Sequence, residues 1–98
     1  MEDKMAKFTV RIELRDSSSA DYDKLHERME AKGFSRTITT SSGNTYRLPN
    51  AEYTYSSKNE DKESVANLAE SVASKVKKNP GVLVTESNGR YVKNLDDA

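Results

Sequence analysis

The sequence predicts an α+β fold: a ferredoxin-like β-α-β-β-α-β sandwich, with an antiparallel sheet, two helices on one face and a short C-terminal hairpin. Three observations predict it. Phe8, Val10, Ile12 and Leu14 alternate with Thr9, Arg11 and Glu13, the period of a strand with one buried face. Val65, Leu68, Ala69, Val72, Ala73 and Val76 recur at steps of three and four, the stripe of a helix. The remaining strand-like and helical runs follow one another in the order that a split β-α-β unit requires.

The first strand, Phe8 to Leu14, closes at Arg15-Asp16 and breaks at Ser17-Ser18-Ser19. Ser18 with Asp21 three residues on is a capping-box variant, and Tyr22, Leu25 and Met29 follow at helical spacing. The first helix is therefore expected over about Ala20 to Lys32, ended by Gly33 in the left-handed position. Arg36 to Thr40 is rich in β-branched residues, and Ala51 to Tyr55 alternates. Residues 35–56 thus read as an antiparallel pair, with a turn that is either tight at Gly43 or wide enough to reach Asn50. Pro49 marks an edge, a bulge or the start of a strand, because it has no N–H for a ladder.

Asp61 or Asn59 caps the second helix. Lys75, Lys77 and Lys78 crowd its expected last turn, where cations suit the helix dipole, and Asn79-Pro80-Gly81 stops it. Val82 to Thr85 reads as a short central strand. Asn88-Gly89 signals a type I′ turn, with Tyr91 and Val92 returning. The expected helix-side core is Val10, Ile12, Leu25, Met29, Val65, Leu68, Val72, Val76 and Leu83.

A chain of 98 residues suits one domain, 1–98, with 1–6 and 95–98 expected as loose ends. Lys plus Arg and Asp plus Glu are 16 each, so nucleic acid would have to be held by a local basic patch and not by bulk charge. The absence of cysteine excludes disulfides, thiolate metal sites and a cysteine nucleophile. A single histidine excludes a multi-histidine site within one chain. No apolar run approaches the roughly 20 residues of a membrane span. Met1 to Lys7 lacks the apolar core of a signal peptide, so a cytoplasmic protein is expected.

Several side chains could carry chemistry. His26 is suited to general acid or base work in phosphodiester cleavage, or is a partly buried surface histidine. Asp16, just past the first strand, would serve a metal or a symmetry mate, or simply begin the turn. Arg11, Arg15, Arg36 and Arg47 would form a phosphate-binding surface, or pair across strands with Glu13 and Glu52. Tyr53 and Tyr55 share a face and would stack bases on an open sheet, or pack in the core. No glycine-rich phosphate loop or metal-binding histidine pair occurs.

Tyr22-Asp-Lys-Leu25-His-Glu-Arg-Met29, Gly33-Phe34-Ser35-Arg36-Thr37-Ile38 and Tyr46-Arg47-Leu48-Pro49-Asn50-Ala51-Glu52-Tyr53 resemble the GhoS family over about residues 8–56. That resemblance implies an endoribonuclease antitoxin of a type V toxin–antitoxin system, with the ferredoxin-like fold shared by a group of CRISPR-associated nucleases. It implies cleavage of a toxin's messenger RNA rather than binding of the toxin protein. Carried over residue by residue, it makes His26, Arg36 and Asp16 the catalytic candidates, while the reading of the strands themselves makes Arg11, Arg15, Arg47, Tyr53 and Tyr55 the RNA-binding ones. The expected partners are single-stranded RNA or a second copy of the chain. No membrane, DNA, metal or cofactor is expected. The alternative is a non-catalytic ferredoxin-like interaction or dimerisation module.

Overall fold

The computed structural model describes residues 5–15, 18–40, 43–49, 51–87 and 93–97. Seven elements follow in order: β1 Ala6–Glu13, α1 Ser19–Ala31, β2 Thr37–Thr39, β3 Thr45–Arg47, β4 Glu52–Ser57, α2 Lys62–Ser74 and β5 Gly81–Glu86. β1 pairs antiparallel with β4 on one edge and with β5 on the other. Ser35 then pairs with Thr54 through N–H···O bonds of 2.8 and 2.7 Å, so the chain leading into β2 lies on the far edge of β4. The resulting spatial order, with two helices over one face, is the expected ferredoxin-like arrangement.

β1 sets the two faces. Phe8, Val10, Ile12 and Leu14 are buried, while Lys7, Arg11, Glu13 and Arg15 are exposed. Leu25 and Met29 of α1, and Val65, Ala69, Val72 and Ala73 of α2, close over the apolar side. Each fully buried side chain of this size is worth about 1.5–3 kcal/mol. Both helices start with a reciprocal cap. The Asp21 carboxylate accepts the Ser18 N–H at 3.0 Å. Asp61 accepts the Ser64 N–H at 2.8 Å while its own N–H donates to Ser64 Oγ at 2.9 Å, so Asp61 is the cap of α2. α1 ends at Gly33, whose φ of 94° lets Gly33 and Phe34 donate back to the Glu30 and Met29 carbonyls. That reversal drops Phe34 into the core, where it is 2% exposed.

The structure corrects three expectations. Residues 35–56 form three short strands instead of a pair. A tight turn at Gly43 joins β2 to β3, and a second reversal at Pro49 to Ala51 leads into β4, with Ala51 at φ 68°. Both turn signals are thus used. Among the described residues β5 pairs with β1 alone and so stands at an edge of the three-stranded sheet, where a central strand was expected. Leu83 is 63% exposed and leaves the core, because its register partner is Arg11 on the outward side of β1. Val82 and Val84 pack inward instead. In the C-terminal segment, Asp96 meets β3: the Arg47 N–H donates to the Asp96 carbonyl at 2.8 Å. The Asn88-Gly89 turn with Tyr91 and Val92 lies outside the described residues.

The cap of α2 makes stability depend on pH. Hydrogen bonds from Ser64, the backbone N–H foremost, hold the Asp61 carboxyl below its usual range. A carboxyl depressed in the folded state stabilises above its unfolded value, and that contribution fades as pH falls through the folded value. Asp61→Ala is expected to lower the Tm at pH 7, with the deficit narrowing below about pH 4; thermal melts across that range check it.

Candidate functional site at the α1 and β4 contact

The chemistry gathers where α1 crosses β4. His26 lies on α1 and is 8% exposed. Tyr53 lies on the inward face of β4 and is fully buried. Their meeting follows from two local periods: His26 is one residue past Leu25 at the edge of the apolar stripe, and Tyr53 is inward because Val10, its register partner, is inward. His26 Nδ1 and the Tyr53 hydroxyl stand 2.6 Å apart, with ring centroids 5.7 Å apart at 57°.

Burial pushes the Tyr53 hydroxyl well above the ordinary phenol range. The Arg36 guanidinium is near enough to oppose part of that rise, and Glu30 near enough to add to it. Tyr53 therefore keeps its proton at neutral pH, and its oxygen both donates and accepts. It bonds Nδ1 in either histidine tautomer. The bond holds the imidazole through Nδ1 against the Tyr53 hydroxyl. Arg36 supplies permanent positive charge to the same corner.

Arg36 and Arg47 also share a cleft of about 330 Å³ with Leu48, Pro49 and the Asn94 to Asp96 segment. The Leu48 N–H bonds the Arg36 carbonyl at 2.8 Å and fixes that pairing. Two guanidinium groups in one cleft suit a phosphate.

The structure brings together only some of the residues expected from sequence. His26 meets Tyr53, whose hydroxyl feels the Arg36 charge, and Arg36 and Arg47 line one cleft together. Arg11 lies apart on the open face of the sheet, beside Glu52 and Leu83 in register. Arg15 is exposed beyond the end of β1, and its Nε donates to the Asn79 carbonyl at 2.9 Å. Asp16 lies outside the described residues. Tyr53 and Tyr55 do not face the open sheet. Tyr53 is enclosed between sheet and helix, and Tyr55 packs on Phe34 with centroids 4.6 Å apart. The shared-face reading of the two tyrosines holds, but the face is the helix side, so Tyr53 offers no ring to a base.

Sequence reasoning sought a second histidine for His26 and missed the tyrosine. The available signal was the alternation of β4, which places Tyr53 inward once Ala51 is buried. Among the described residues, no group of three His, Cys, Asp or Glu side chains is placed to hold a metal. Among them, no helix is long and apolar enough to cross a membrane.

Comparison with known proteins gives one match. A family model described as Endoribonuclease GhoS matches residues 2–94. No curated protein and no solved structure matches the chain.

The His26–Tyr53 bond has a measurable weight. Tyr53→Phe keeps the ring in the core but removes the hydroxyl from a buried partner. It is expected to cost about 1–3 kcal/mol, read as a shift in the urea unfolding midpoint; an unchanged midpoint would mean the bond contributes nothing to stability.

Proposed function

The chain belongs to the endoribonuclease GhoS family, and from that premise we propose that it binds and cleaves single-stranded messenger RNA in the cytoplasm, as the antitoxin of a toxin–antitoxin pair whose toxin transcript is its target. The family match over nearly the whole chain carries the reading. The His26–Tyr53 pair and the cleft shared by Arg36 and Arg47 support it.

Cleavage in this reading proceeds by internal transfer. The ribose 2′-oxygen attacks the adjacent phosphorus while its proton passes to the His26 imidazole, which Tyr53 orients. The bond from phosphorus to the 5′-oxygen breaks, and the leaving oxygen takes up a proton. The product is a 2′,3′-cyclic phosphate. Arg36 stabilises the charge that builds on the phosphorane oxygens, and Arg47 holds a neighbouring phosphate through the shared cleft. Tyr53 is a positioning residue: it orients the imidazole without touching RNA.

His26→Ala is expected to slow cutting of a uridine-rich transcript by roughly 10²–10⁴-fold. Arg36→Ala slows it too, with Arg36→Lys recovering only part because an ammonium lacks the planar fork. Gel analysis of labelled RNA reads both. Transcript that stays intact after prolonged incubation, with and without Mg²⁺, sinks the reading.

Pairing of two copies through the open sheet face is the second reading, and Leu83 favours it: a leucine 63% exposed stands in that face between Arg11 and the β5 edge. If the reading holds, sedimentation shows a dimer that Leu83→Arg converts to monomer with no loss of Tm. A parent chain that stays monomeric at high concentration excludes it.

A further inference from the structure

At the far end of α2 the described chain concentrates positive charge. Arg15, Lys75, Lys77 and Lys78 line one depression of about 610 Å³, together with Asn79. Among the described residues, Asp21 pairs with this group, 3.8 Å from the Lys77 ammonium and also bonded to the Ser18 N–H. Four cations therefore line one depression, on a chain whose charges balance as a whole.

The lysines were expected to serve the helix dipole from the last turn of α2. α2 ends earlier, at Ser74, so all three lysines follow it. The carbonyls of Val72 and Ala73 are already met by backbone N–H groups of Lys75, Val76 and Lys77. The side chains are thus not needed as caps. Arg15 fixes the corner instead: its Nε bond to the Asn79 carbonyl ties the end of β1 to a loop whose Asn79 stands at φ 56°. A guanidinium held by Nε still presents its two terminal nitrogens to an anion.

We infer that this Arg15, Lys75, Lys77 and Lys78 corner is a docking track for the phosphodiester backbone of single-stranded RNA, separate from the His26 and Arg36 corner. The inference rests on the endoribonuclease reading for its choice of polyanion. Asp21, which marks the corner, lies five residues before His26, about 7.5 Å along the axis of α1. A strand gripped at the corner can therefore run on to the α1 edge without a long detour. Lysine contacts to phosphate carry no sequence information, so the track supplies affinity and register, not target choice.

The test uses the full chain and a uridine oligomer of about 12 nucleotides with 2′-O-methyl groups, which has no attacking hydroxyl. Binding is measured against salt. Lys75→Gln with Lys78→Gln is expected to lower the slope of log K on log salt by about 1.4, and to weaken binding roughly tenfold near 0.15 M salt. Lys58→Gln with Lys62→Gln removes the same charge from other exposed positions and is expected to leave both unchanged. Equal effects of the two double variants overturn the track, even in a protein that cuts its transcript. A selective effect in a protein that cuts no RNA upholds the track and overturns the nuclease reading instead.

Discussion

Everything in this molecule hangs on β1 being paired on both edges while buried on one face. Six consecutive residues of β1 are matched with β4 and six with β5. Its alternation is thereby imposed on both neighbours. Val10 draws Tyr53 and Val84 inward, and Arg11 sends Glu52 and Leu83 outward. A slip of one residue would expose the core and bury charge, so the hydrophobic pattern specifies register strongly. α1 and α2 then have a single apolar surface to cover, and their stripes meet it through Leu25, Met29, Val65, Ala69 and Val72.

The candidate site is a consequence of that register. Placing Tyr53 inward buries a phenol hydroxyl, and a buried hydroxyl left unbonded costs free energy. His26 meets the requirement from α1. The same hydrogen bond therefore satisfies a core polar group and orients an imidazole at the surface margin. Arg36 reaches this corner because the Gly33 reversal brings the chain straight from α1 to the outer edge of β4. Fold and proposed chemistry share these residues, which is why His26 is nearly buried.

Charge is distributed unevenly on a neutral chain. The open sheet face mixes signs, with Arg11 beside Glu52 and Glu13 next along β1. The positive excess sits elsewhere, in the arginine cleft by β3 and in the lysines beyond α2. A phosphate backbone is held by cations, and these two corners carry two and four of them. The sheet surface, which the strand pattern would nominate as an RNA platform, is better suited to water or to a second copy, through Leu83.

Local pattern was enough to determine the element types, their order, the caps at Ser18 and Asp61, and the stop at Gly33, because each depends on residues within a few positions of one another. The motifs from Tyr22 to Tyr53 were also enough to indicate the family that the match over residues 2–94 bears out. Tertiary structure decided what no local period contains. It set β5 at an edge and turned Leu83 outward, since a short apolar run has no polar residues to mark its outer face. It divided residues 35–56 into three strands, since two turn signals in one segment leave the pairing to long-range contacts. It joined His26 to Tyr53 across 27 positions, and Arg15 to Asn79 across 64. Hydrogen bonds between distant residues depend on strand register and helix rotation together, and those are settled only when the whole core packs.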